Sequence, residues 1–203
     1  RFMVVDEGSQ NGPALPVVQD LGAGLPIAVY RVTEDIPWNW DGARNLAMAQ
    51  TETEWVWLLD ADRMVDPDQA AKALAMPKRL GNWYRPNQRL TDGTVLGRPH
   101  PNCYIVSRTD FWKTGGHDED FQGFYDKDRP FRLRLEAVAR SVFVADLFMT
   151  GYQRSDVADC DTRKGRKNSP YHFANAPDHL RRKAGGPFYV AERPLRFGWE
   201  RQR

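Results

Sequence analysis

Residues 54–62 read Glu54-Trp-Val-Trp-Leu-Leu-Asp60-Ala-Asp62. The run from Trp55 to Leu59 is almost wholly apolar and far too short to span a bilayer, which needs about 20 residues. Such a run predicts a strand buried on both faces, the pattern of a parallel sheet covered by helices. Two carboxylates one residue apart follow it directly. In open α/β sheets the carboxyl ends of strands are where ligands bind.

Working outward, the same alternation continues on both sides. Phe2-Met-Val-Val-Asp6 predicts a strand that delivers Asp6 to a turn-rich stretch ending at Pro13. Residues 14–23 leave a short helix open, and 27–32 predict a second strand. Residues 39–53 predict a helix with Asp41 as its N-cap and Ala43, Leu46, Ala47 and Ala49 on its apolar face. Asp66-Pro-Asp68 opens another helix, running to Ala75, with proline in its first turn. Strand-like pieces around Trp83-Tyr84, a turn at 91–94, a strand over 102–107 and a short helix over 109–113 come next. An acidic loop covers 117–128, Pro130 opens a helix to Arg140, and 142–145 predict a late strand.

Beyond Gly151 the periodicity dissolves into polar and basic residues broken by prolines. The expected fold class is therefore α/β, a mostly parallel sheet flanked by helices with an irregular basic C-terminal segment. Residues 1–150 form the expected core, and 151–203 an appended segment able to act as an active-site loop.

The chain has 203 residues, 41% hydrophobic and 28% charged, which excludes wholesale disorder and collagen-like repetition. The net charge of +2 hides an asymmetry. Residues 1–100 carry 10 Lys/Arg against 13 Asp/Glu, and from Arg154 onward the balance is 12 against 6. A basic C-terminal third can meet nucleic acid, anionic lipid or a phosphorylated small molecule. No nucleic-acid-binding motif accompanies the charge, so nucleic acid is not the expected partner, whereas peripheral membrane contact stays open. Two cysteines, Cys103 and Cys160, are too few for a disulfide scaffold, and no secretory leader is expected ahead of the first strand. A reduced, cytoplasmic setting is the expectation.

Asp60 and Asp62 carry the clearest chemistry. Paired carboxylates just past a buried strand can share one hard divalent cation, Mg²⁺ or Mn²⁺, which prefers oxygen ligands and bridges to substrate phosphates. Capping of the nearby helix by the same acids is the competing reading.

Three segments resemble family 2 glycosyltransferases of the GT-A fold. Val4-Val-Asp-Glu-Gly-Ser9 is similar to their VVDDGS motif. Gly42-Ala-Arg-Asn45, followed by Trp55 to Asp62, is similar to their ARN and DADD stretch. Gly115-Gly-His-Asp-Glu119, with Phe121 and then Phe124 to Leu135, is similar to GGFDE followed by EDxDLxxRL. The motifs occur in the family's order over residues 2–135. The family usually places a strand, a turn and a helix ahead of the first motif, and this chain opens at the motif's strand.

The resemblance implies an inverting transferase that moves a sugar from a nucleoside-diphosphate donor, UDP- or GDP-linked, to a saccharide or other hydroxyl acceptor. It implies donor contacts from Asp6, Glu7, Arg44, Asp60 and Asp62. It implies Mn²⁺ or Mg²⁺ held by Asp60 and Asp62, with His172 as a late histidine ligand. It places the general base at Asp128, with Asp126 as second choice, and it places Asp118, Glu119 and His117 on the acceptor side. Alignment on Arg134-Leu135 puts Lys127 where the family has glutamate and Pro130 where it has its second aspartate.

Other residues carry weaker signals. The basic run Arg163-Lys-Gly-Arg-Lys167 can clamp a diphosphate or stay solvated. Trp38 and Trp40 can stack on a sugar or base, and Trp55 and Trp57 are expected in the core. A nucleotidyltransferase reading is disfavoured because Gly8 to Gly12 has no adjacent lysine. A non-catalytic GT-A domain that binds through its basic segment is the main alternative.

Overall fold

The computed structural model describes residues 1–8, 12–21, 24–125, 128–152, 170–192 and 194–203. Two sheets share the α/β body. In the first, β1 (Phe2–Asp6) pairs parallel with β2 (Ile27–Val32), from Phe2 opposite Ile27 to Asp6 opposite Arg31. Helix α1 (Ala14–Leu21) connects these two strands.

Helix α2 (Trp40–Gln50) then leads to β3 (Trp55–Leu58), the strand predicted from the apolar run. A two-residue strand, β4 (Arg63–Met64), and helix α3 (Pro67–Ala75) follow. β5 (Asn82–Leu90) and β6 (Val95–Pro99) form a hairpin, and β7 (Tyr104–Ser107) runs into α4 (Arg108–Lys113). Helix α5 (Asp128–Val138) leads into the long strand β8 (Arg140–Gly151). The second sheet has the order β3-β7-β5-β8-β4, with β6 paired to β5.

The sheets are mixed rather than mostly parallel. β1·β2 and β5·β8 are parallel, while β3·β7, β5·β7, β5·β6 and β4·β8 are antiparallel. The expectation failed on direction because an apolar run reports burial on both faces, and burial is indifferent to which way the neighbouring strand runs.

Residues after Gly151 contribute more regular structure than their composition predicts. Helix α6 (Asp178–Gly185) and strand β9 (Trp199–Arg201) lie there, and β9 pairs antiparallel with β2. Periodicity misses both elements because they are short and charged, and only Leu180 of α6 is buried. Among the described residues no helix is long and apolar enough to cross a membrane.

Helix α2 sits between two cores. Leu46 joins Ala28, Tyr30, Val32 and Phe197, while Met48 joins Trp83, Tyr104, Phe111 and Leu135. Trp55 and Trp57 pack against Tyr84, Ile105 and Leu147, as expected of core tryptophans. Gly42 is required by this packing, because a Cβ there would stand 2.4 Å from the Phe197 ring. The helix starts one residue before its expected cap. Asn39 is the N-cap, and Asp41 lies in the first turn, fully buried. A helix that buries Asp41, Arg44 and Asn45 beside Leu46 and Met48 is not arranged for stability alone, since buried polar groups cost free energy unless each is paired.

Candidate functional site

Arg44 is the centre of the site. It projects from α2 with only 9% of its side chain exposed. Its Nη2 donates to Asp60 Oδ1 at 2.5 Å, and its Nη1 donates to the Asn102 carbonyl at 2.6 Å. The Trp40 ring lies 4.9 Å from its guanidinium carbon, a cation–π distance. Burial works against the charge of Arg44, but Asp60 together with Tyr104, Cys103 and Asp128 outweighs it and keeps the guanidinium protonated.

Arg44, Asp128 and His117 come from three distant parts of the chain and line one shallow cleft, together with Trp40, Asn102 and Arg132. Asp128 is the first residue of α5, where the helix macrodipole favours a carboxylate. Burial nevertheless pushes its pKa up to about 6, against a hydrogen bond from the Asn102 side chain and the nearby Arg44 charge. A carboxyl group poised there can exchange a proton near neutral pH.

His117 is fully enclosed. Its Nδ1 lies 2.9 Å from Asp41 Oδ1, and its ring stacks on Phe131 at 3.9 Å. Burial lowers its pKa to about 4 despite Asp41, so the ring is neutral and Nδ1–H donates to the carboxylate. Its backbone is held by Asn45, whose Oδ1 accepts from the His117 N–H at 2.8 Å.

Asp118 and Glu119 face away from the cleft, toward the C-terminal residues. Asp118 accepts from the Asp120 N–H (3.0 Å) and the Tyr189 hydroxyl (2.8 Å), and it pairs with Lys183 Nζ (2.7 Å). Glu119 accepts from Asn45 Nδ2 and from the N–H groups of Leu195 and Arg196, all within 3.0 Å. Asp118 thus caps a turn, and the two acids tie Lys183, Tyr189, Leu195 and Arg196 to the body. Of the three residues expected on the acceptor side, only His117 lines the cleft.

Asp6 ends β1, and its two carboxylate oxygens accept from the N–H groups of Gly8 (3.0 Å) and Ala14 (2.9 Å). It thereby ties the turn after β1 to the start of α1, with Glu7 half-buried beside it. Asp126, Lys127, Cys160 and the basic run 163–167 lie outside the described residues.

The Asp60–Asp62 segment offers a partial fit to a divalent cation. Asp62 Oδ1 is buried and accepts no hydrogen bond, with Arg63 Nε 3.5 Å away. That oxygen lacks a hydrogen bond, which suits a hard cation, but it already forms an ion pair with Arg63. Among the described residues, however, the group of three ligand-bearing side chains gathered within 4.8 Å is Asp60, His100 and Cys103. Its mixed oxygen, nitrogen and sulfur donors are softer than Mg²⁺ prefers, and burial raises the Cys103 thiol pKa and so keeps it protonated. Burial likewise lowers His100 to about 4. His172 stands apart from that group. Its Nδ1 accepts from the Ala174 N–H at 3.1 Å, and its backbone bridges to Tyr125 beside the acidic loop.

His100, Asn102 and Cys103 were missed as site residues. The one local signal was the pair of prolines, Pro99 and Pro101, that brackets His100 and stiffens the approach to β7.

A solved structure, the catalytic domain of Drosophila beta1,4galactosyltransferase 7 in complex with xylobiose, is similar at a TM-score of 0.46 and 12% identity. The match covers 70% of this chain and 63% of that one, so it spans less than two thirds of its relative. No curated protein matches the chain. The model of glycosyl transferase family 2 matches residues 1–143, the stretch that supplies Arg44, Asp60, Asn102, His117 and Asp128, and the chain therefore belongs to that family.

Proposed function

We propose that this protein transfers a sugar from a nucleoside-diphosphate donor to an acceptor hydroxyl with inversion at the anomeric carbon. The observation that carries this reading is the shared cleft of Arg44 and Asp128, with Asp60 paired to Arg44. In such a transfer the departing diphosphate accumulates negative charge, and a fixed cation beside it lowers the barrier. Arg44 is placed to supply one positive charge. Asp128, ionised above about pH 6, takes the proton of the attacking hydroxyl. Trp40 offers a ring face to the sugar.

Asp60 and Asp62 are the residues that would hold Mn²⁺ or Mg²⁺ in this reading. Bound there, the cation would neutralise the diphosphate. Residues 1–150 carry the chemistry, and the basic residues after Gly151 supply an active-site loop.

The deciding experiment is a transfer assay across UDP- and GDP-sugars with Mn²⁺ or EDTA, on the wild type, Asp128→Asn and Asp62→Ala. Loss of transfer in both folded variants, and with EDTA, supports base and metal together. Full activity of Asp128→Asn would sink the base assignment. Absence of nucleotide binding in the wild type would move the reading to a non-catalytic binding domain.

A further inference from the structure

His100 and Cys103 have no task in the transfer reaction, yet the second sheet brings both to Asp60. β3 and β7 run antiparallel with Leu58 opposite Tyr104, so the residues just after β3 lie beside those just before β7. There the Asp60 N–H meets Cys103 Sγ at 3.3 Å. His100 directly follows β6 and is held between Pro99 and Pro101. Its Nδ1 stands 3.6 Å from Asp60 Oδ2 and accepts the Asn102 N–H at 3.2 Å. Ligation through Nδ1 would replace that bond, and ligation through Nε2 would keep it. One ligand atom from each of the three side chains lies within 4.8 Å of the other two. Cys103 is fully buried, and the His100 and Asp60 side chains are 14% and 31% exposed, so the group is walled by protein and open on the Asp60 side.

The donors select among cations. A four-coordinate ion with bonds of about 2.0–2.3 Å sets its ligand atoms about 3.3–3.8 Å apart. The 3.6 Å between His100 and Asp60 already meets that spacing. Closing the group from its 4.8 Å limit takes about 1 Å of side-chain movement. Asp60 Oδ1 is committed to Arg44, which offsets one negative charge and leaves little attraction for a hard ion bound through oxygen alone. What the group adds is a sulfur and an imidazole nitrogen, the donors that suit zinc rather than magnesium.

We propose that Asp60, His100 and Cys103 form a binding site for a borderline-soft divalent cation of the zinc class, distinct from the Asp60–Asp62 pair. On binding, the Cys103 thiol passes its proton to solvent and its sulfur bonds the ion as thiolate. The fourth position is left to water or another small ligand. The inference stands apart from the transfer reaction. Because Asp60 belongs to both groups, a zinc-class ion here and a hard cation on Asp60 and Asp62 compete.

The test uses Co²⁺ as the probe on the full chain, reduced and stripped of metal by chelation. Thiolate ligation of Co²⁺ gives a near-ultraviolet charge-transfer band, and four-coordination gives intense visible bands, whereas binding by carboxylates alone gives neither. Both bands are expected to saturate at one Co²⁺ per chain, to be displaced by Zn²⁺ and to persist in a large excess of Mg²⁺. Cys103→Ser is expected to abolish the charge-transfer band, and Cys160→Ser to keep it. His100→Ala is expected to weaken Co²⁺ binding about tenfold or more, since even loss of a residue that only supports a ligand costs that much. Asp62→Ala leaves Co²⁺ affinity unchanged. Thermal melting without metal shows which variants fold, and if Cys103→Ser does not, His100→Ala carries the test. Absence of the charge-transfer band in the wild type, its survival in folded Cys103→Ser, its loss in folded Cys160→Ser, or unchanged Co²⁺ affinity in folded His100→Ala overturns the proposal. Loss of Co²⁺ binding in Asp62→Ala with His100→Ala unaffected would put the cation on Asp60 and Asp62, overturning this site and leaving the transferase metal reading in place. Both bands in a wild type that transfers no sugar would sink the transferase reading and leave this site standing.

Discussion

Arg44 and Asp60, from α2 and the end of β3, form a partly buried ion pair with 2.5 Å between Nη2 and Oδ1. The same guanidinium holds the Asn102 carbonyl at 2.6 Å, so one side chain ties a helix, a strand end and a loop together. The two bonds diverge from a planar fork, a geometry that lysine cannot reproduce.

Arg44→Lys is therefore expected to behave as a damaging change despite conserving charge. One of the two acceptors loses its partner, at a cost of about 1–3 kcal/mol for an unsatisfied buried group. Arg44→Ala, which leaves the partly exposed Asp60 carboxylate unpaired and the Asn102 carbonyl without its donor, costs about 2–3 kcal/mol. Urea denaturation of the three proteins at pH 7 orders them wild type, lysine, alanine. Equal midpoints for wild type and lysine would show that the fork is idle.

Asp128 carries opposite consequences for stability and for chemistry. Its folded pKa, about 6, lies above the ordinary value of 3.8, so the protonated form is the one that folding favours. The group's contribution is fully present below pH 3.8 and is lost as pH rises through 6. Asp128→Asn should thus be more stable than the wild type at pH 8, on the order of 1–3 kcal/mol, while losing transfer. Thermal melting at pH 5 and pH 8 checks the first statement, and the difference between variant and wild type must widen at the higher pH. Wild-type kcat, in turn, should rise with pH to a plateau above about 6, because the base works ionised.

His117 runs the other way. Its folded pKa, about 4, lies below the ordinary 6.5, so its contribution is present above pH 6.5 and is lost as pH falls through 4. His117→Asn places an amide N–H where Nδ1–H meets Asp41 and removes the titration. Relative to its own stability at pH 7, this variant should lose less than the wild type on acidification to pH 4.5. Parallel losses in urea midpoint would show that the imidazole is not the acid-sensitive group.

The segment beyond the family match is part of the folded body. Phe197 is 6% exposed, packs with Tyr30, Val32 and Leu46, and fills the space over Gly42. Phe197→Ala should cost about 3–5 kcal/mol, as for other buried aromatics. Removal of residues 187–203 should unfold the chain, since Glu119 would lose the N–H groups of Leu195 and Arg196 and stand as a buried, under-paired carboxylate. Circular dichroism of both proteins provides the check. A stable truncated chain would show that these ties are dispensable.

Much of this molecule is written in local patterns. Hydrophobic runs located β1, β2, β3, β5 and β7, and the proline at position 67 marked the start of α3. The ordered motifs around Asp6, Arg44, Asp60 and Gly115 to Leu135 identified the family. Turn glycines were legible too. Gly115 has φ +77°, and a Cβ there would meet the Ala191 carbonyl at 2.1 Å. These features depend on neighbours a few residues apart, which a single chain displays directly.

The rest depended on contacts that only folding creates. Strand direction was invisible because apolar runs look alike whichever way they pair. Asn102 was invisible because it acts through its main chain, whose carbonyl meets Arg44 58 positions away, and an isolated Asn between proline and cysteine has no periodic signal. Asp118 and Glu119 looked like site acids by motif, yet the fold turned them toward Lys183, Tyr189 and Arg196, where cations and N–H groups satisfy them. Local sequence thus determined the elements and the family. The long-range pairing of buried charges decided which acids face the cleft, because a buried carboxylate settles where its partners are.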